Sequence, residues 1–393
     1  MSFSYNDHEE SFTNLPVYLH NIQRINPDSY TYIKIDVLDR FQLCFVVIRC
    51  VINAFLGCML PVIFIGNVRI RGEYLNSMFV AVAMDGNKNT TPIAFGIGVA
   101  NNVNSCTWFL MKLKDAIGEG REVAFITDMD DTISSYVGQV FLDAYHGYSS
   151  KSVLIYCRLR IGHSKNLDYL FFRPCKAYTT QDFQQSFSKL SDAAREVLTN
   201  IGNKKWARAY FPNIRWNVLN INIPEFLSVL SVTQRNVPII SLIDTIVQYI
   251  QQTFAESSVI GGLLSTVFTP YAEMVLHKRM QKSLGWKVAK IPPEFPSPFP
   301  SDIFRVFDLK RTCVVDLNRH TCSCGKWCSL GIACGHAISA ARYTNNTELI
   351  DMVQIYYRVD VFRTAYQTRN VNVIPPAAEW EIPEPLMVIL IPM

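Results

Sequence analysis

One stretch, MFVAVAMDGNKNTTPIAFGIGV, constrains this chain most: two apolar runs flank Asp85-Gly86-Asn87. Asp-Gly between apolar runs favours a tight reversal, because glycine reaches positive φ without a Cβ clash, so the stretch reads as a β-hairpin. The residues on either side extend the pattern. Positions 61–65 read as a buried strand, CTWFLMKLKDAIGEG as an amphipathic helix ending at glycine, and EVAFITD as a further buried strand closing on Asp128. A helix over 133–142 follows. The order is three strands, helix, strand, helix, an α/β arrangement.

With 393 residues, 49% of them apolar, the chain can bury at least one large core and divides into two or three domains. The start, MSFSYNDHEESF, is polar and acidic and has no apolar secretory core, so a reducing compartment is expected. Eleven cysteines then read as buried small hydrophobes plus a metal site rather than as disulfides. Segment 41–66 is long and apolar, but Arg49 near its centre would cost about 2.5–3.5 kcal/mol on an insertion scale. Phe41, Phe45, Ile48, Ile52 and Phe55 recur at helical spacing, which predicts a buried helix running into the 61–65 strand rather than a membrane span. Region 182–252 reads as mostly helical, with breaks near Pro212 and Pro224, and IPPEFPSPFP reads as a linker.

The clearest chemistry lies in TCSCGKWCSLGIACGHA. Cys322-x-Cys324, nine residues, then Cys334-x-His336 offers three thiolates and an imidazole, the donor set of a closed tetrahedral Zn2+ site. Four protein ligands leave no open position for a substrate, so the site reads as structural. It would tie the strand expected at TCVVDLN to the helix expected at GHAISAARY. Cys313 and Cys328 read as packing residues, with Cys328 a substitute ligand.

The CxC…CxH pattern after VVDL resembles the SWIM-type zinc finger. PVIFIGNVRIRGEY, FVAVAMDGNKNTTPIAFGI, TWFLMKLKDAI, FITD, KAYTTQDF, KWARAYFPNIRWN, NVPIISLID and DVFRTAYQ resemble, in the same order, blocks of Mutator-like (MuDR) plant transposases. The resemblance implies an RNase H-like mixed sheet with a long helical insertion, followed by a small zinc-binding ββα module. It divides the chain into an N-terminal remnant at 1–40, a transposase domain at 41–290 with its insertion at about 144–252, a linker at 291–302, the finger at 303–345 and a tail at 346–393. It also implies three carboxylates holding paired Mg2+ ions for phosphoryl transfer. The second matches Asp128 and the third Glu225, but the first falls on Gly66, which has no side-chain oxygen.

That loss predicts a catalytically inactive, transposase-derived zinc protein acting in the nucleus; the alternative is an active DDE-type transposase with a substitute acid. Asn67, Asp85, Asp130 and Asp131 are not promoted to that role: Asp85 belongs to the hairpin turn, and the other two to a helix start. The family's C-x-x-H after H-x-Y is replaced by Ser149 and Ser152, while Cys157 and His163 read as a core cysteine and a surface histidine. The residues at 151–216 hold twelve Lys and Arg against four Asp and Glu, with aromatics between them, and 277–290 adds five basic residues and no acid. These regions read either as a DNA-binding patch or as a solvated face over an aromatic core. The resemblance to SWIM fingers adds protein as a second kind of partner; no membrane or small-molecule substrate is expected.

Overall fold

The computed structural model describes residues 7–70, 74–75, 77–99, 102–129, 131–163, 165–220, 237–292, 302–345, 349–367, 371–385 and 387–392. The chain forms two compact units. One comprises Met1–His146, Ile221–Leu264 and Asp360–Met393; the other comprises Gly147–Asn220 and Ser265–Val359.

The first unit is built on a seven-stranded mixed sheet. Its strands are β1 (Tyr30–Ile35), β2 (Phe41–Val47), β3 (Val62–Arg69), β4 (Ser77–Met84), β5 (Thr90–Gly98), β6 (Ala124–Thr127) and β7 (Tyr145–Tyr148), in the order β1-β2-β5-β4-β3-β6-β7. The neighbours from β1 to β3 are antiparallel, whereas β3 and β6 run parallel. The expected α/β class and the strand–strand–strand–helix–strand–helix order are both present. In chain order the helices of this unit begin α1 (His8–Thr13), α2 (Leu15–Ile25), α3 (Arg49–Cys58), α4 (Val103–Ile117) and α5 (Asp131–Val140). Asn102 caps α4 by accepting from the Ser105 N–H, and Phe109 on that helix stacks on Phe79 of β4 with ring centroids 5.5 Å apart. Among the described residues, no helix is long and apolar enough to cross a membrane.

The buried helix expected from Phe41 onward is corrected in its first half. Residues Phe41–Val47 form β2, and only Arg49–Cys58 is helical. Nearly every side chain of β2 is buried, so the strand lacks the alternation that marks a half-exposed one, and Phe41 and Phe45, four apart, share a strand face as readily as a helix face.

The hairpin turn at Asp85 closes as expected. One carboxylate oxygen accepts from the N–H groups of Asn87 and Asn89, and the other accepts from the Asn89 amide and from the Tyr366 hydroxyl at 2.8 Å. Burial raises the Asp85 carboxyl above its ordinary range, against these hydrogen bonds.

The second unit joins helices α6 (Ser150–Ile161), α7 (Lys165–Cys175), α8 (Thr180–Phe187) and α9 (Asp192–Ile201) to a four-stranded sheet. That sheet holds β8 (Lys287–Lys290), β9 (Ile303–Phe307), β10 (Thr312–Asp316) and β11 (Thr321–Cys322), in the order β11-β10-β9-β8. Its outer strand therefore precedes the proline-rich stretch, of which 293–301 lies outside the described residues.

Candidate metal centre

The local sequence bends the chain so that four separated side chains meet. Strand β10 turns back into β11 with Val315 opposite Cys322, and Asp316 steadies the turn by accepting from the Arg319 N–H. The Cys322 carbonyl accepts from the Gly325 N–H at 2.9 Å, which folds Cys324 back beneath β11. On the other side, Cys334 stands at the N-cap of helix Gly335–Tyr343, where its sulfur accepts from the Ala337 N–H at 3.5 Å. His336 follows in the first turn. The strand expected at TCVVDLN and the helix expected at GHAISAARY are both formed, the latter over those same nine residues.

Cys322, Cys324, Cys334 and His336 are all buried, and their ligand atoms lie within 4.8 Å of one another. The Cys334 sulfur and His336 Nδ1 are 3.9 Å apart. Tetrahedral zinc with bonds of about 2.0–2.3 Å holds its donors about 3.5–3.8 Å apart, so the cluster can hold a metal ion and is compatible with zinc.

His336 directs its other nitrogen, Nε2, to Asp308 Oδ2 at 3.3 Å. A carboxylate there fixes the tautomer that leaves Nδ1 free to ligate. Burial raises the Asp308 carboxyl, but the N–H groups of Arg311 and Lys310 and the His336 ring together lower it below its ordinary value. Trp286 covers the imidazole, with ring centroids 4.6 Å apart. From the helix Pro270–Ser283, the Arg279 guanidinium donates to the carbonyls of Ile332 and Ala333 at 2.6 and 2.8 Å, holding the approach to Cys334.

The thiols cannot all ionise on their own. Donation from Cys322 lowers Cys324, and the same contact raises Cys322; Cys334 is pushed up to about 12, its contact with Cys322 outweighed by Cys324 and burial. Three buried thiolates need a cation among them, and a divalent metal supplies that charge. Cys328 is exposed and outside the cluster, and Cys313 is buried on β10.

The second expected metal site is different. The parallel register runs from Val62 opposite Ala124 to Ile65 opposite Thr127, and Gly66 and Asp128 are the residues that follow the last pair on each side. Gly66 is buried and Asp128 is exposed at the end of β6. Glu225 and Asp130 lie outside the described residues. Asn67 accepts from the Ser77 hydroxyl at 3.0 Å. Among the described residues, the Cys/His group is the only set of three or more such side chains placed to hold an ion.

Ser149 caps α6, its Oγ accepting from the Ser152 N–H at 3.1 Å, so these serines shape a helix start. Cys157 is fully buried, and His163 is exposed and faces Asp168 at 3.4 Å.

The basic regions divide by depth. Lys151, Arg160, Arg173, Lys176, Lys189 and Lys204 are exposed, whereas Arg208 and Arg215 are buried; Arg215 donates to the carbonyls of Trp206 and Tyr148. Desolvation pulls the Arg215 guanidinium down to about 10. Phe171, Trp206 and Phe211 are core residues, whereas Tyr156, Phe172, Tyr178 and Tyr210 are half-buried, so the aromatics lie only partly beneath the basic surface. In 277–290, His277, Lys278, Lys282, Lys287 and Lys290 are exposed.

Compared with protein-family models and with curated proteins, the sequence matches none.

Proposed function

We propose that this chain is a zinc-dependent nucleic-acid-binding protein of the nucleus, derived from a Mutator-like transposase and no longer able to cut DNA. The charge distribution carries the binding half of that reading. Gly147–Asn220 and Ser265–Val359 together contain 24 Lys and Arg against 11 Asp and Glu, while the rest of the chain contains 13 against 22. The modest net charge of +4 thus conceals a strongly basic unit and an acidic one. A surface of that sign neutralises phosphates without reading bases, and its binding weakens steeply with salt.

The ancestry finds support in the sheet. The order β5-β4-β3-β6-β7, antiparallel up to β3 and parallel from β3 to β6, agrees with the order expected of an RNase H-like core if β1 and β2 are taken as additions outside β5, and so supports this reading. The loss of cutting rests on Gly66. In a two-metal site its place would carry a carboxylate about 4.8 Å from the Asp128 backbone, one strand spacing away. Zinc fits the Cys322, Cys324, Cys334 and His336 donors as a structural ion, and when bound it supplies the charge that keeps all three thiolates ionised.

Binding of the zinc-loaded full chain to mixed-sequence duplex DNA, followed across a salt series, tests the proposal. A logarithmic slope corresponding to several released counterions is expected, with no nicking in Mg2+. Salt-independent or absent binding would remove the nucleic-acid reading. Nicking abolished by Asp128→Asn would restore the transposase one.

A further inference from the structure

The segment between the two ligand pairs packs against the helical part of its own unit, and it does so through positions that admit no side chain. Gly325, next to Cys324, has φ +71, and a Cβ there would lie 2.5 Å from the Tyr178 carbonyl oxygen. Gly331, three residues before Cys334, has φ +72, and a Cβ there would meet the Trp216 ring at 2.8 Å. Only glycine combines this backbone with so close an approach.

A polar route runs beside these contacts. His336 Nε2 meets Asp308 Oδ2, Asp308 Oδ1 accepts from the Arg311 N–H at 2.8 Å, and the Arg311 guanidinium holds both carboxylate oxygens of Asp182 at 3.2 and 3.3 Å. Asp182 is in the first turn of α8. The Tyr178 ring in turn has the Arg208 guanidinium 3.4 Å from its centroid and the Lys326 ammonium at 5.8 Å. Residues fixed by Cys324, Cys334 and His336 are therefore the ones that hold Tyr178, Asp182 and Trp216.

We propose that the metal site locks its module to the basic helical segment, so that filling it orders 177–217 as well as 303–345, and that the seam around Tyr178, with Lys326, is part of the phosphate-binding face. Ordering by a ligand that binds only the folded site follows from linkage. The second clause rests on the nucleic-acid reading above; the first does not.

Hydrogen exchange on the full chain, with and without a zinc chelator, tests the lock. Chelation should raise exchange at least tenfold in 177–187 and 206–217 together with 303–345, and leave α4 unchanged. Asp182→Arg, remote from the ligands, should retain one zinc per chain yet loosen 177–187 about threefold, with Arg311→Asp in the same chain restoring protection. A rise confined to 303–345 would overturn the lock, whatever the DNA result. If the lock holds, Lys326→Ala should lower duplex affinity and reduce the salt slope by about one, while Arg319→Ala should not. Equal effects of the two variants would overturn the seam as a phosphate site, and failure of the zinc-loaded wild type to bind DNA would instead remove the reading on which that clause rests.

Discussion

The Cys/His cluster and the corner formed by Gly66 and Asp128 are both positions where the residues suggest a metal, yet they differ in what surrounds the donors. At the cluster, four buried side chains converge from a hairpin and a helix start, and a carboxylate orients the imidazole. At the corner, one exposed carboxylate ends a strand, and the neighbouring position of the next strand has no side chain. A tetrahedral site depends on all of its donors at once, because an incomplete set leaves buried thiols without the cation they need. At the corner, an exposed Asp128 beside a glycine position asks no such thing of its surroundings. The sheet can therefore keep its architecture without an acid at position 66, whereas the Cys/His module cannot keep its own without all of its donors.

That contrast sets the order of expected effects. Cys334→Ser and His336→Ala should each abolish stoichiometric zinc and expose 303–345 to protease, since structural zinc binding contributes about 10–16 kcal/mol in finger peptides. Retained zinc and protection in either variant would break the four-ligand assignment. Asp308→Asn removes only the partner of His336 Nε2 and should weaken zinc about 10–100-fold in a competition titration while the finger still folds. Unchanged affinity would reduce Asp308 to a turn residue.

Asp85→Asn should lower stability by about 1–3 kcal/mol at pH 7, because the single amide oxygen can accept from the turn N–H groups or from Asn89 and Tyr366 but not from both, and the amide NH2 then meets donors on the other side. The pH dependence has a defined sign. The folded-state carboxyl of Asp85 is raised, so its contribution is largest below the unfolded value of about 3.9 and is lost as pH rises through the folded one. The variant should lack that fall in urea titrations run between pH 3 and 7. Asp128→Asn should have the smallest effect, changing neither melting temperature nor DNA affinity; a tenfold loss of affinity would give the corner a role.

The regular elements were legible where local chemistry decides them. Asp85-Gly86-Asn87 between apolar runs places the hairpin, although the positive φ of the turn falls on Lys88 rather than on Gly86 and the Asp85 carboxylate holds it; Gly118 ends α4, and the spacing of Cys322, Cys324, Cys334 and His336 marks the cluster. Strand β2 was misread because burial on both faces erases the period-two signal. Asp308 could not be found, because it lies 28 residues from His336 and nothing in DLKR marks a histidine partner. The segregation of charge was only partly visible: 151–216 and 277–290 stood out as basic, but the acidic balance of the rest emerges only when three separated segments are seen to form one unit. Nothing in the sequence marks Gly325 and Gly331 as contact positions, because Tyr178 and Trp216, which lie against them, are more than a hundred residues away.

The most direct test is a metal inventory of the full chain equilibrated with Zn2+ and with Mn2+ as a stand-in for Mg2+, then dialysed and measured by elemental analysis and electron paramagnetic resonance. One zinc per chain, lost in Cys334→Ser, and no ordered Mn2+ signal are expected. Absence of zinc, or bound Mn2+ that disappears in Asp128→Asn, would contradict the account.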